Sequence, residues 1–211
     1  LRQEHGAEFS NTNEADPNWA ALFGAGAQET MRVASDRKSV HVHVPEDEPQ
    51  PRRTDFPLDE VLDGSFDQEA TFDASGVKGL LDSALEGFSA TVFAYGQTGS
   101  GKTYTMAGQD ADAATYHPAG FDGVIPRAVR YIFEQVEERK THAKYTIRAS
   151  FLEIYNEHLT DLLQPSMYGR MPLAIKEDND TGDIFVRGLT EVPVHSAEGA
   201  MRLVRRALRQ R

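Results

Sequence analysis

The chain has 211 residues, and its 22 Lys and Arg against 33 Asp and Glu leave a formal net charge of −11. It contains no cysteine, which excludes a disulfide scaffold, thiolate metal ligands and a cysteine nucleophile. The acidic balance argues against a broad nucleic-acid-binding surface, because such a surface needs a basic face. No apolar run approaches the roughly 18 residues of a membrane span, and the N-terminus lacks the basic start and apolar stretch of a signal peptide. We therefore expect a soluble intracellular protein with neither a membrane nor a nucleic acid as partner.

The first half of the chain predicts a strand, a helix and a second strand. Residues 1–38 show little periodicity and predict an irregular lead-in. From Ser39, valines at positions 40, 42 and 44 alternate with polar residues, which indicates a half-buried strand. Between Gly76 and Gly87 the apolar residues recur at helical spacing and predict an amphipathic helix. The short run Thr91 to Tyr95 is apolar, β-branched and aromatic, so we expect a buried strand there.

The second half predicts a helix near Pro126, a long strand over 144–155 and a short helix over 156–163. Turn residues at 179–182 predict a hairpin between the flanking apolar runs. Ser196 is placed to cap a last helix, whose apolar face would hold Ala200, Leu203, Val204, Ala207 and Leu208. Strands that alternate with helices predict an α/β sandwich around a central sheet.

The strongest motif lies between the predicted strand at 91–95 and the helix that follows it. Residues 96–103 match the pattern G-x-x-x-x-G-K-[ST] at every fixed position. Glycines let backbone N–H groups turn inward around an anion, and a helix that begins near Lys102 adds its positive end. Lys102 would reach the β- and γ-phosphates of a nucleotide, and the Thr103 hydroxyl would ligate Mg²⁺. The alternative, a flexible glycine loop in an unrelated fold, lacks this strand-and-helix context.

Three stretches in order resemble the motor domain of kinesins: residues 95–106 around the phosphate loop, residues 123–128 (G-V-I-P-R-A), and residues 150–163 (S-F-L-E-I-Y-N-E, followed by D-L-L). The resemblance implies a P-loop NTPase-type three-layer sandwich with a central mixed β-sheet, present here incompletely. It also implies that residues 1–211 are the N-terminal portion of a single motor domain. In that domain 1–38 would be the lead-in, and 39–211 the core through the helix before switch I.

The resemblance assigns ATP and Mg²⁺ as ligands. Lys102 and Thr103 would be the catalytic residues, and Thr103 would hold the metal. Tyr104 takes the family position whose side chain lies near the adenosine. The implied nucleotide-binding residues are Gly96, Gln97, Thr98, Gly99, Ser100, Gly101, Lys102, Thr103 and Tyr104.

The same resemblance implies an ATPase that moves on microtubules in the cytoplasm, as part of the cytoskeleton. Residues 109–122 would be the family's loop five, and the loop at 178–183 would contact tubulin. Oligomerisation would use regions outside this chain. Residues 137–144 are similar to the kinesin-nine branch, which implies a cilium or flagellar axoneme.

The chain departs from the family pattern in two respects. No R-x-R-P motif occurs in residues 1–60, and the switch motifs S-S-R-S-H and D-L-A-G do not occur. We therefore expect negligible ATP hydrolysis and poor folding from these 211 residues in isolation, because phosphoryl transfer needs several parts at once. Two other functions stay open: a non-motile structural component of microtubules or axonemes with impaired ATPase, and a P-loop kinase of small molecules.

Three further features each have two interpretations. His41 and His43 share a strand face and could bind a metal or face solvent. Glu153 and Glu157 could form a carboxylate pair or support the fold. The arginines that crowd the last ten residues could contact tubulin or form the solvated side of an amphipathic helix.

Overall fold

The computed structural model describes residues 31–43, 53–109, 119–164 and 172–210. These residues form two compact units, of which the first ends at Ile125 and the second begins at Pro126. Strands and helices are both present, and the described strands form four separate antiparallel sheets rather than one central mixed sheet.

The first unit holds a three-stranded sheet and short helices. Its elements are β1 (Met31–Val33), β2 (Ser39–His43), β3 (Arg53–Pro57), α1 (Gln68–Ala74), α2 (Val77–Leu85), α3 (Lys102–Ala107), a 3₁₀ turn (Ala119–Phe121) and the start of α4 (Val124–Arg139). The strands lie in the order β1-β2-β3. Thus β2 confirms the strand predicted from Ser39, with Val44 outside the described residues, and α2 confirms the helix predicted within 76–87.

Strand β1 corrects the prediction that the whole of residues 1–38 is irregular. Met31 pairs with Val42 and Val33 with Val40, so β1 extends the sheet edge of β2. Three residues are too few to show the alternation from which strands are predicted. The part of the predicted lead-in before Met31 lies outside the described residues.

Helix α1 was not anticipated, although its start carries a recognisable cap. The Asp67 carboxylate accepts a hydrogen bond from the Ala70 N–H at 2.8 Å, as an N-cap residue does. The helix buries Phe72 in the core of the first unit, together with Val40, Val61, Val77, Ala107 and Val124. Burial of these side chains stabilises the unit by roughly 1.5–3 kcal/mol for each fully buried large residue.

The buried strand predicted over 91–95 is wrong. These residues form no strand, and Phe93 and Tyr95 are 81% and 89% exposed. Their two rings stack on each other at 6.4 Å between centroids. A strand needs a hydrogen-bonded neighbour, and none of the strands in the described ranges pairs with this segment. Leu80 on α2 is also exposed, so the predicted apolar face of that helix is only partly covered.

The second unit contains the rest of α4, six strands and a last helix. Its elements are β4 (Ile147–Ala149), β5 (Leu152–Tyr155), β6 (His158–Asp161), β7 (Ala174–Glu177), β8 (Ile184–Arg187), β9 (Val192–Val194) and α5 (Ala197–Gln210). β4 pairs with β9, β5 with β6, and β7 with β8. Helix α4 begins two residues before Pro126, which sits in the first turn where proline is tolerated.

Two predictions for the second unit are wrong. The long strand over 144–155 is divided into β4 and β5, and the helix expected over 156–163 is instead the return strand of a hairpin. Asn156 and Glu157 have φ of 49° and 63°, which makes the two-residue turn between β5 and β6. Asparagine tolerates this left-handed region and favours such turns, so the signal for the hairpin was present at Asn156.

The predicted hairpin and last helix of this unit are confirmed. β7 and β8 form the predicted hairpin, closed by the turn of residues 178–183. The Ser196 hydroxyl caps α5 by accepting a hydrogen bond from the Gly199 N–H at 3.1 Å. Ala200, Val204 and Ala207 on the predicted apolar face are buried, and the core also contains Leu162 and Leu163 with Phe151, Val192 and Leu203 packed against them.

Asp161 ties β6 to the segment before β9. Its carboxylate accepts hydrogen bonds from the N–H groups of Leu163 at 2.8 Å and Thr190 at 2.7 Å. Burial by itself raises the pKa of Asp161, but the hydrogen bonds from Thr190, Leu163 and Gln164 outweigh it and hold the pKa below its usual range. The ionised carboxylate is therefore part of the folded structure.

Candidate phosphate-binding site

The glycine-rich loop predicted to hold phosphate occupies residues 96–101 and leads directly into α3. Gly96, Gly99 and Gly101 have φ of 155°, 88° and 83°, which side-chain-bearing residues rarely adopt. Gly101 is the residue that precedes the first turn of α3. The placement of the motif before a helix is thus confirmed, whereas the strand expected on its other side is not formed.

Gly96 also makes a close approach that only glycine permits. A Cβ at this position would lie 2.3 Å from the Ser100 Oγ and 3.2 Å from the Ser100 Cβ. The Ser100 Oγ is buried and has no hydrogen-bond partner among the residues described. The Gly96 backbone and the Ser100 side chain are therefore packed closely together.

Lys102 is anchored inside the loop by the backbone. Its ammonium donates hydrogen bonds to the carbonyl oxygens of Gly96 at 2.7 Å and Gln97 at 2.5 Å. An ammonium group has three N–H donors, so a third remains for a ligand. The loop therefore contains a fixed positive charge next to backbone that is free of side-chain bulk, and this arrangement suits an anion.

The two residues after Lys102 differ in their surroundings. Thr103 is exposed in the first turn of α3, so its hydroxyl is accessible to a ligand at the loop. Tyr104 is half-buried, and its carbonyl accepts a hydrogen bond from the Gln68 amide at 2.8 Å. Gln68 is 3% exposed and connects α1 to α3. The sequence did not single out Gln68, because its partner is 36 residues away and no local pattern marks it.

The end of α3 is fixed by backbone contact with the segment before α4. The Gln109 N–H donates to the Phe121 carbonyl at 3.1 Å, and Gly108 bridges to Asp122. A Cβ on Gly108 would lie 2.3 Å from the Phe121 carbonyl oxygen, and one on Gly123 would lie 2.6 Å from the Thr105 carbonyl oxygen. The glycine that opens the G-V-I-P-R motif is therefore required for packing against the phosphate-loop helix. The greater part of predicted loop five lies outside the described residues.

An open groove of about 450 Å³ lies beside the loop in the first unit. Val77 and Leu80 of α2 form one wall, and residues 91–96 form another. Ser100 and Lys102 contribute the polar groups.

The other candidate residues do not join this site. The His41 Nδ1 lies 2.7 Å from a carboxylate oxygen of Asp55, which stands across from it in β3. Within residues 31–43, 53–109, 119–164 and 172–210, no group of three or more His, Asp or Glu is arranged to hold a metal. Glu153 lies in β5 and Glu157 in the turn after it. No helix in the described parts of the chain is long and apolar enough to span a membrane.

A family model, curated relatives and a solved structure all match this chain, and all three indicate one family. The family model described as "Kinesin motor domain" matches residues 19–211. The Chlamydomonas reinhardtii kinesin-like protein KLP1 is 39% identical over 187 residues, which cover 86% of this chain and 22% of that protein. The Arabidopsis thaliana kinesin-like protein KIN-12D is 38% identical over 159 residues, which cover 73% of this chain and 6% of that protein.

A solved structure of a fast kinesin is 34% identical in sequence and superimposes with a TM-score of 0.74. The match covers 88% of this chain and 48% of the solved chain, so the chain spans about half of that structure and a smaller part of the curated relatives. The structural match confirms the predicted P-loop NTPase-type α/β fold. The chain therefore belongs to the kinesin motor-domain family.

Proposed function

We propose that this chain is the nucleotide-binding part of an ATP-dependent microtubule motor. The observation that carries the proposal is the fixed ammonium of Lys102 inside a loop whose glycines have positive φ. Family membership supports the same activity, since kinesin motor domains couple ATP turnover to microtubule binding. The binding residues are those of the motif, Gly96 to Thr103, with Tyr104 next to the adenosine.

The loop suits the triphosphate of a nucleotide because three of its glycines have positive φ and the Lys102 ammonium is held beside its backbone. The third N–H of Lys102 would bind the β- and γ-phosphates, and the exposed Thr103 hydroxyl would hold Mg²⁺. Bound Mg²⁺ would neutralise the charge that develops on the transferred phosphoryl group. Lys102 and the loop N–H groups position the phosphates, and their fixed geometry lowers the cost of reaching the transition state.

Several finer properties belong to the same proposal. Residues 39–211 would form one portion of a single motor domain. The turn at 178–183 would contact tubulin, and oligomerisation would use regions outside this chain, with no nucleic acid as partner. The exposed Ile175, Ile184 and Phe185 on the β7–β8 hairpin support a contact surface there, because a two-stranded hairpin alone is marginally stable.

We also propose a place in the kinesin-nine branch and in a cilium or axoneme, within the cytoskeleton. The sequence of residues 137–144 and the similarity to an algal kinesin-like protein over 86% of the chain support this. Fluorescence microscopy of the tagged full-length protein in a ciliated cell tests it. Signal confined to cytoplasmic microtubules in such cells would reject the ciliary assignment.

The central experiment replaces Lys102 with Ala in the full-length protein. We expect microtubule-stimulated ATP turnover and ATP-dependent motility to be lost, because the phosphates lose their fixed positive charge. Lys144→Ala, at an exposed position in the second unit, is the matched control and should keep wild-type turnover. Unchanged ATP turnover in Lys102→Ala would rule out the proposed role of Lys102 in ATP hydrolysis.

The same variant separates the motor from a non-motile structural component. For a motor, ATP releases the wild-type protein from microtubules in a cosedimentation assay, and Lys102→Ala abolishes this release. Equal cosedimentation of both proteins with and without ATP would favour the structural role. Transfer of phosphate to a small acceptor would favour the kinase.

A further inference from the structure

Three arginines of α5 form a row that the nucleotide site does not use; Arg202 and Arg209 are exposed and Arg205 is half-buried. Arg202, Arg205 and Arg209 are separated by three and four residues, so they lie along one side of the helix. Ala200, Val204 and Ala207, on the opposite side, are buried in the core of the second unit. The row therefore has a fixed orientation, because the core holds the helix in place.

The fourth arginine of this part of the helix has a different role. The Arg206 guanidinium donates a hydrogen bond to the Leu163 carbonyl oxygen at 2.9 Å and so joins α5 to the end of β6. We therefore exclude Arg206 from the row. Arg211 lies outside the described residues and is not part of it either.

In the described part of the chain, no acidic residue balances the charge of the three arginines in the row. Within the described ranges none of them forms an ion pair, whereas Arg148 in the same unit pairs with Glu191 at 3.5 Å. The Arg209 Nε–H donates to the Arg205 carbonyl at 3.3 Å, which leaves the other guanidinium donors available. Glu198 lies one turn before Arg202 and is exposed, without a bond to it.

The row concentrates positive charge on one side of a helix in a chain whose net charge is −11. Arginine presents a planar fork of N–H donors that matches a carboxylate in two parallel hydrogen bonds. From Arg202 to Arg209 the helix rises about 10 Å, which an extended peptide spans in about three residues. A segment rich in Glu or Asp can therefore place successive carboxylates along the row.

We propose that Arg202, Arg205 and Arg209 form a docking site for an acidic polypeptide segment. Charge complementarity selects this occupant, since the three guanidinium groups form no ion pair among the described residues and two of them, Arg202 and Arg209, are exposed on a helix held by its core. The row belongs to the second unit and the phosphate loop to the first. The proposal uses none of the phosphate-loop residues, so it does not rest on the proposed motor activity.

The test measures binding of a fluorescein-labelled poly-glutamate peptide to the full-length protein by fluorescence anisotropy. We expect binding at about 50 mM salt that weakens strongly at about 300 mM, where charges are screened. The triple variant R202Q/R205Q/R209Q should bind about tenfold more weakly, because it removes three weak ion pairs with the peptide. Glutamine keeps good helix propensity, so α5 should persist.

Two further variants make the result specific. K140Q/K144Q/R148Q removes the same charge from exposed positions elsewhere in the second unit and should bind the peptide as the wild type does. R202K/R205K/R209K keeps the charge but removes the fork, and should bind with intermediate affinity. Equal weakening in the K140Q/K144Q/R148Q control would overturn the proposal. So would comparable binding of a labelled oligothymidylate through the same arginines, since the row would then be a general polyanion site.

Discussion

Gly96 and Ser100 approach so closely that a Cβ on the glycine would lie 2.3 Å from the serine hydroxyl oxygen. Gly96 also has a φ of 155°, so both the space and the backbone conformation require glycine. The hydroxyl is buried without a partner in the described structure. This contact lies in the loop whose carbonyl oxygens hold Lys102.

Gly96→Ala should therefore weaken nucleotide binding. The strained backbone and the contact with Ser100 cost of order 1–3 kcal/mol, which corresponds to about 5- to 150-fold in affinity. Titration of the full-length protein with a fluorescent ATP analogue measures the effect.

Two further variants serve as comparisons for the nucleotide affinity of Gly96→Ala. Gly79→Ala is the matched control, because a Cβ at Gly79 on α2 meets no atom within 4 Å, and its affinity should equal that of the wild type. In a Ser100→Ala background Gly96→Ala should cost less, since the contact to the hydroxyl is gone. Wild-type affinity in Gly96→Ala would show that the loop is not held as the structure has it.

The loop was predictable because its requirements are local. The fixed glycines, Lys102 and Thr103 lie within eight residues, and each is needed for a reason that the sequence itself displays. The same holds for the Ser196 cap and for α2, where the spacing of apolar residues specifies the helix. The role of Gln68 was not predictable, because it depends on a hydrogen bond to the Tyr104 carbonyl, which is far along the chain.

The strand predicted over 91–95 is wrong for the opposite reason. An apolar, β-branched run shows only that a segment can form a strand, whereas pairing depends on where other strands lie. Phe93 and Tyr95 remain exposed because no described strand adjoins them. Over 156–163 the wrong prediction has a different cause. Asn156 is a turn residue that the sequence displays, whereas the segment that begins with it predicts a helix.

Glu157→Gly should stabilise the β5–β6 hairpin. Glu157 has a φ of 63° and carries a Cβ, and a left-handed conformation costs a non-glycine residue about 1–2 kcal/mol. Part of the gain is offset by the greater freedom of glycine in the unfolded chain, so we expect a net gain of about 0.5 kcal/mol. Amide hydrogen exchange across residues 152–161 should slow by about twofold. Glu157→Ala keeps the Cβ and should show no slowing; equal slowing in both variants would argue against the strain.

Asp161→Asn should loosen the connection between β6 and the segment before β9. The asparagine NH₂ cannot accept from an N–H group, so one buried donor loses its partner at a cost of about 1–3 kcal/mol. Amide exchange at Leu163 and Thr190, which donate to Asp161, should accelerate near neutral pH. Asp59→Asn, at an exposed position, is the control and should leave both amides unchanged.

The effect of Asp161 should depend on pH with a defined sign. The folded structure holds the pKa of Asp161 below its usual range, so protons bind more readily in the unfolded chain. The stabilisation is therefore present above about pH 4, the ordinary pKa of the carboxyl, and is lost as the pH falls through the lower folded value. The difference between wild type and Asp161→Asn should shrink in that acidic range. A difference that grows on acidification would contradict the assigned hydrogen bonds.

Arg206 should be the arginine of α5 on which folding depends. Its hydrogen bond to the Leu163 carbonyl joins the helix to a residue that is 2% exposed, and removing the donor leaves that buried acceptor unsatisfied. Since Arg206 itself is exposed, we expect Arg206→Ala to cost about 1 kcal/mol, seen as faster amide exchange in residues 161–164. Arg209→Ala removes an exposed arginine that bonds only within its own helix and should leave that exchange unchanged. Equal acceleration in the two variants would mean that the loss of helix charge, rather than the bond to Leu163, is responsible.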